Sequence, residues 1–499
     1  MGLRALFGAK DEAPSFTVNT AGDKPDIVIF LTDEQRHDEV GYRSSGYYET
    51  PVLDALAARG TIFEDAYSGS TVCVPSRGSL LTGLLHHRLP TQVNGMALEE
   101  GFFTVAHALR SAGYFTALVG KMHFFPMYAH HGFDVLKLAE NLVPFSGYER
   151  GEVDDYHRFL LWQGRSDAAA THMFGPNDAA LAAEFTANYS AVAFPYDRSL
   201  HPIGWMEKTA LDVVRERPAG QPLFLIVSYP RPHAPYDPAE PYASMYDPKH
   251  ARIPEDGYGV NETLPDDFRQ TFEKADRQRH TIQPVSRIPE DVLRRVLSYA
   301  RGLIRHIDDS MGAILGALDA EKTVTFFTSD HGTYSGHRGL IGKVPWLPFD
   351  DLAKVPLACR VPDGRSGARV SAPIQSFDVA MTCLDYAGIT PPRGVFDGVS
   401  LRPILRGERA PGDRAVFSCT SMGWPMIRRG ARKLVRRSGT GAEMLLDLER
   451  DPGETRSFLD DPAYASSRGE LRALLDQTLA KKVPALPRYV EKHATRRRV

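Results

Sequence analysis

The sequence predicts an α/β fold: a large, mostly parallel sheet between layers of helices, followed by a small C-terminal α+β subdomain. Three observations carry that prediction. Four short apolar runs, rich in β-branched residues, each stop abruptly at polar residues, the pattern of strands buried on both faces. Helix-like stretches separate those runs, so the connections read as crossovers between parallel strands. After about residue 395 the pattern changes to shorter strands and one late helix.

Residues 1–24 are mixed and polar and read as a flexible leader. The stretch around Leu3–Phe7 is too short and interrupted for a signal peptide, and Leu6 stands where a myristoylation pattern requires Ser or Thr. Asp26–Leu31 is the first strand, ending at Thr32-Asp33. Thr104–Ala112 predicts a helix, and Thr116–Val119 a strand running into Gly120-Lys121. Trp205–Arg215 reads as a helix, and Pro222–Ser228 as a strand before Tyr229-Pro230. Glu290–Leu318 is a long amphipathic helix with Val292, Val296, Ile304, Ile307 and Met311 on its apolar face. Thr323–Thr328 is a strand running into Ser329-Asp330-His331. Two stretches read as insertions: 138–200, aromatic and without period, and 237–285, rich in Pro, Asp and Tyr. Long loops on a rigid scaffold commonly carry selectivity. Leu434-Val435 and Met444–Leu448 are short strands, and Leu471–Ala480 a helix. The expected organisation is a leader over 1–24, a main domain over 25–395 and a C-terminal subdomain over 396–499.

Composition narrows the function classes. Of 499 residues, 42% are apolar and 24% charged, ordinary globular values. With 59 basic against 62 acidic residues, nothing points to a nucleic-acid partner. No apolar run approaches about 18 residues, so no membrane span is expected. The four cysteines, Cys73, Cys359, Cys383 and Cys419, lack paired spacing, and a reducing cytoplasm is the expectation.

In open α/β sheets, ligands bind beyond the carboxyl ends of the strands. Asp33, Lys121, His233 and Asp330 each follow a predicted strand and are expected to converge there. Cys73 precedes a helix-like run, where backbone N–H groups favour negative charge. Arg77, one turn later, offers a fork suited to a tetrahedral oxyanion. Alone, a cysteine near a proline reads as a small buried hydrophobe. Asp33-Glu34 and Asp330-His331, read singly, are strand-end turns or caps. Taken together they suit a hard divalent cation.

Cys73-Val74-Pro75-Ser76-Arg77, with Leu81-Thr82-Gly83, resembles the signature of the sulfatases. Gly120-Lys121-Met122-His123 resembles that family's G-K-W-H, and Pro232-His233-Ala234-Pro235 its P-H-x-P. Asp330-His331-Gly332, then Gly336-His337-Arg338-Gly339-Leu340 and Lys343, follow in the family's order. Asp447-Leu448-Glu449-Arg450-Asp451-Pro452 resembles its tail, so the match spans about residues 25–460. The resemblance implies an alkaline-phosphatase-like sandwich that hydrolyses sulfate monoesters to an alcohol or phenol and inorganic sulfate. A formylglycine-generating enzyme would convert Cys73 to 3-oxoalanine (formylglycine), whose hydrate attacks sulfur. One divalent ion, Ca2+ first and Mn2+ or Mg2+ as alternatives, would be held by Asp33, Glu34, residue 73, Asp330 and His331. Lys121 and Lys343 would hold sulfate oxygens, and Arg77 would fix the diol. His123 would take a proton during sulfate expulsion, and His233, helped by Lys343, would serve the leaving alkoxide. His337 would line the pocket.

The chain departs from the family's commonest pattern at Glu34 (usually Asp, and Gln in phosphonate monoester hydrolases), at His331 (usually Asn) and at Met122 (usually Trp). His331 adds a softer nitrogen donor, which brings manganese into contention. The alternative activity is a phosphonate monoester hydrolase or phosphodiesterase with the same nucleophile, and Lys121 with His123 favours the sulfatase. A non-catalytic binding protein is disfavoured because every site position is filled. The natural sulfate ester is not specified by the sequence, and a homo-oligomer is compatible with it.

Overall fold

The structure, a computed structural model, describes residues 16–19, 24–99, 101–140, 153–165, 189–277, 283–284, 288–408, 412–420 and 423–484. Strand β1 (Asp26–Asp33) shows why an unbroken apolar run was needed. Ile27, Ile29 and Leu31 join one hydrophobic core, while Val28 and Phe30 join another on the opposite face. Successive side chains point to opposite faces of a sheet, and both faces are covered here.

The remaining strands of this sheet are β2 (Thr61–Tyr67), β3 (Phe115–Gly120), β4 (Val135–Leu138), β5 (Leu223–Pro232), β6 (Thr323–Ser329), β7 (Lys354–Arg360), β8 (Ala368–Val370) and β9 (Ile374–Gln375). Their order is β8-β2-β7-β6-β1-β5-β3-β4, with β9 also paired to β2. The centre is parallel and in register: Ile29 lies opposite Ile226 of β5 and Phe326 of β6. Helices α1 (Pro51–Ala58), α4 (Pro202–Glu216) and α5 (Glu290–Gly316) pack on one face, and α2 (Cys73–Thr82), α3 (Val105–Ser111) and α6 (Asp378–Tyr386) on the other.

The sheet is mostly parallel, as expected, with one antiparallel strand. β7 runs antiparallel to both β6 and β2. Neither β2 nor β7 is evident in the sequence. Glu64 and Asp65 interrupt β2 and are neutralised by distant partners: Arg43 and Arg369 on Glu64, Lys354 and Arg428 on Asp65.

The expected leader is tied down at its end. Thr17–Val18 pairs with Ile389–Thr390, and the Phe16 ring stacks on Phe103 at 5.1 Å; residues 1–15 lie outside the described residues. In the stretch 138–200, Asp155–Trp162 is helical and Ala191 bridges to Tyr236; 141–152 and 166–188 lie outside the described residues. In 237–285, Asp266–Arg277 forms a helix that buries Phe268 and Phe272.

The C-terminal part is an antiparallel meander of β10 (Val416–Thr420), β11 (Trp424–Arg429), β12 (Arg432–Arg436) and β13 (Glu443–Asp447). Helix α7 (Ala465–Leu479) covers one face, where Leu471 and Leu475 meet Phe417, Ile427, Leu434 and Leu445. The other face packs Val416, Met426 and Leu446 against Phe268, Phe272 and Phe349. A buried charge cluster joins the two sheets. Lys433 is fully buried and donates to Asp350 (2.9 Å) and Glu454 (2.6 Å), and the Tyr67 hydroxyl donates to Asp350 (2.7 Å). Arg338 donates to the carbonyls of Gly453 (2.7 Å) and Glu454 (3.1 Å). Among the described residues no helix is long and apolar enough to cross a membrane.

Candidate active site

The carboxyl ends of β1, β3, β5 and β6 are neighbours, so the residues that follow them meet. Asp33 ends β1 opposite Pro232, which places His233 beside it. The next residue, Glu34, turns at φ +63°, and its N–H donates to Asp330 Oδ1 (3.1 Å). The His331 N–H donates to the same oxygen (2.8 Å). The Asp33-Glu34 and Asp330-His331 pairs are thereby locked together. Gly120 ends β3 at φ +107°; a Cβ there would lie 2.1 Å from the Ser228 carbonyl oxygen, so only glycine lets β3 deliver Lys121 this close to β5.

Helix α2 starts at Cys73 itself, so the sulfur sits at the helix's first turn. Lys343 Nζ donates to Cys73 Sγ (3.1 Å), His331 Nε2 lies 3.2 Å away and Asp33 Oδ1 3.9 Å away. Asp33 also accepts from the Lys121 ammonium. On the outer side, Glu34 Oε2 faces Lys343 Nζ (3.0 Å) and His233 Nε2 (3.2 Å), and Thr333 Oγ1 donates to Glu34 Oε1 (3.1 Å).

Arg77 has its donors committed to the protein. Nε goes to Asp330 Oδ2 (2.9 Å), a terminal nitrogen to Asp33 Oδ2 (3.3 Å), and the other to the Lys121 carbonyl (2.8 Å) and Ser228 Oγ (2.7 Å). It holds the two carboxylates apart and in place, rather than pointing a free fork at a ligand.

Burial opposes every charge here, and the neighbours decide the outcome. Burial pushes the Cys73 thiol up, but Lys343, His331 and Lys121 outweigh it and lower it overall. Asp33, despite burial, is held well below the usual carboxylate range by Lys121, His233 and Arg77. Glu34 is lowered in the same way by Lys343 and His233. Burial and then Lys343 bring His233 down to about 4; burial, Lys121 and Arg77 bring His123 well below its ordinary value. Both are free bases near neutral pH. His331 goes the other way, to about 9, because Asp330 and Cys73 outweigh its burial.

The structure thus brings together Asp33, Glu34, Cys73, Arg77, Lys121, His233, Asp330, His331 and Lys343, with His123 beside Lys121. His337 is turned elsewhere: its Nδ1 pairs with Asp256 (2.9 Å), away from the sulfur. Several contributors were not evident in the sequence. Glu140, just past β4, is buried and accepts from the N–H groups of Met122 (2.8 Å) and His123 (2.9 Å). It supports the turn in which His123 takes φ +65°. Its own N–H donates to Asp154 Oδ2 (2.6 Å). Ser228 anchors Arg77, and Ser68 donates to the Asp330 carbonyl (2.6 Å). A carboxylate just past a strand end was the available signal for Glu140, but β4 itself was not recognisable.

A buried thiol between an ammonium and an imidazole, with paired acidic residues at the carboxyl edge of this sheet, defines a hydrolase of the alkaline phosphatase superfamily. A family model described as Sulfatase matches residues 25–389, and the chain belongs to the sulfatase family: it is a sulfuric ester hydrolase. It is 28% identical to an arylsulfatase of Clostridium perfringens (strain 13 / Type A), over 91% of this chain and 94% of that protein. It is 29% identical to a choline-sulfatase of Rhizobium meliloti (strain 1021), over 92% of this chain and 86% of that one. The solved phosphonate monoester hydrolase of Agrobacterium radiobacter superposes with a TM-score of 0.72 at 22% identity, covering 91% of this chain and 95% of the other. At that identity the likeness speaks to the fold.

The family implies a divalent ion, and the donors present fit one. Donor atoms of Asp33, Cys73, Asp330 and His331 all lie within 4.8 Å of one another, and Asp33, Glu34 and His233 form a second such group. Buried carboxylates at this density are stable only when cations compensate them. Arg77, Lys121 and Lys343 do so here.

Proposed function

We propose that the chain hydrolyses sulfate monoesters with a formylglycine made from Cys73 and one divalent ion, calcium first, with manganese or magnesium as alternatives. The observation that carries this reading is the convergence of Lys343, His331 and Asp33 on Cys73 Sγ. A formylglycine-generating enzyme is then the maturation partner. When bound, the hydrated aldehyde supplies the attacking hydroxyl and the ion draws charge from the sulfate oxygens.

The chain's own residues do the rest. Lys121 and Lys343 bring two ammonium groups to the site, which suits a sulfate dianion-like transition state. Against its burial, Lys343 is raised well above its ordinary value in the unconverted chain, where Cys73 adds to the carboxylates; after conversion Glu34, Asp33 and Asp330 remain to oppose that burial and favour the ammonium. It can therefore bring a proton to the leaving alkoxide, and His233 sits beside it across Glu34. His123, a free base at neutral pH beside Lys121, is assigned the proton from a hydroxyl on residue 73. Arg77 orients the carboxylates through its bonds to Asp33 and Asp330. The phosphonate monoester hydrolase reading is not favoured, since the family model and the named sequence relatives are sulfatases.

The test is mass spectrometry of the tryptic peptide containing Cys73, from active protein of the native host, with turnover of an aryl sulfate by Cys73→Ala. Converted residue 73 and an inactive variant are expected. A fully unmodified thiol in active protein rejects the mechanism. Comparing kcat/KM across aryl, alkyl, choline and sugar sulfates then defines the substrate class.

A further inference from the structure

As encoded, before any conversion, residue 73 carries sulfur, and sulfur changes which metal the site selects. Cys73 Sγ stands 3.2 Å from His331 Nε2 and 3.9 Å from Asp33 Oδ1. In a tetrahedral zinc site, with ordinary Zn–S, Zn–N and Zn–O lengths, ligand atoms lie about 3.6 Å apart. The two observed separations bracket that value. Asp330 completes a set of four donors, all within 4.8 Å of one another. We propose that the unconverted chain binds Zn2+ through Cys73 Sγ, His331 Nε2, Asp33 and Asp330, and that conversion of Cys73 turns this zinc site into one for a hard, oxygen-seeking ion.

The donor types decide the selectivity. One thiolate, one imidazole and two carboxylates make a mixed S, N, O set, which suits a borderline ion such as zinc. Calcium takes six to eight oxygens and gains little from sulfur or nitrogen. His331 is central: where Asn would offer an oxygen, this chain offers nitrogen. The imidazole is also pre-aimed, because its Nδ1 is engaged with the Gly332 carbonyl (2.8 Å), turning Nε2 to the sulfur. Ligation releases the proton on Sγ and any on Nε2 to solvent as the Zn–S and Zn–N bonds form. Lys343 gives up its contact with Sγ and keeps Glu34 at 3.0 Å. Zinc binding by the unconverted chain rests on the geometry around the thiol and stands whether or not the native host makes formylglycine, whereas the change of metal on conversion rests on the proposed function.

The experiment uses the full chain made without conversion, with the Cys73 thiol verified by intact mass. Cobalt(II) serves as the spectroscopic stand-in for zinc. A thiolate-to-cobalt charge-transfer band in the near ultraviolet is expected, removed by stoichiometric zinc and unaffected by calcium. Cys73→Ser should abolish the band and weaken zinc by roughly tenfold or more; His331→Asn should keep the band and weaken zinc. On the wild-type chain, bound zinc should slow iodoacetamide alkylation of Cys73, read by peptide mass, and calcium should not. A cobalt spectrum without the charge-transfer band, or alkylation equally fast with and without zinc, overturns the proposal.

Discussion

Glu140→Ala should uncouple the Lys121–His123 turn from the rest of the site. The Glu140 carboxylate accepts two backbone N–H groups, of Met122 and His123, at a residue with φ +65°. Hydrogen bonds to a charged acceptor contribute about 1.5–3 kcal/mol each, so the pair contributes roughly 3–6 kcal/mol. Part of this offsets the burial that pushes the Glu140 carboxyl upward. Truncation leaves both donors buried and unpaired, while a left-handed non-glycine residue holds about 1–3 kcal/mol of strain that nothing then opposes. The turn is expected to relax and carry the His123 ring with it. A displacement of about 1 Å in a reacting group can lower the rate roughly a hundredfold. Glu140→Gln keeps a neutral acceptor, so it should lose about 1–3 kcal/mol and stay within roughly tenfold of wild-type kcat. The assay is kcat and KM on an aryl sulfate together with denaturant melts of both variants. Equal kcat for wild-type and Glu140→Ala, with unchanged melts, would refute the reasoning.

Three further perturbations follow from buried charges. Arg77→Met removes the one guanidinium shared by Asp33 and Asp330, and denaturant melts should show a loss of about 3–5 kcal/mol. Asp308 is raised to about 7 by burial, against the N–H groups of Val52 and Leu53 that it accepts. The folded chain therefore keeps a proton that the unfolded chain releases, and this contribution, full below pH 3.8, is lost as pH rises through 7. Asp308→Asn should flatten that fall, measured by thermal melts from pH 4 to pH 8. Lys433→Met removes the ammonium that bridges Asp350 and Glu454, and should cost about 3–5 kcal/mol in denaturant melts.

The strands that carry the site were legible because of how they are buried. β1, β3, β5 and β6 face a core on both sides, so their centres are mostly apolar and carry no charged residue until the strand ends. That abrupt end also places the reactive residue, which is why Asp33, Lys121, His233 and Asp330 could be found from sequence. β2 was hidden because Glu64 and Asp65 find their cations far away in the chain. β4 was hidden because it is a four-residue edge strand, half-buried at Val135, Leu136 and Lys137. Glu140 went unseen with it. The motif order placed His337 near the site, but order says nothing of side-chain direction. Arg338, at φ +53°, turns the backbone there and leaves His337 facing Asp256. The role of Arg77 also needed the fold, since its four partners are brought by four different strands.

Arg338 has a consequence for how this molecule could be cut and recombined. It lies on the loop between His331 and Lys343, yet two of its hydrogen bonds end on the carbonyls of Gly453 and Glu454. The small C-terminal sheet is therefore not an interchangeable module bolted to an independent catalyst. A chimera that swaps the region after residue 396 would have to preserve the turn at 453–454 as a matched counterpart of the loop at 331–343. Without that match, the first casualty should be the position of Lys343, while the large sheet remains folded.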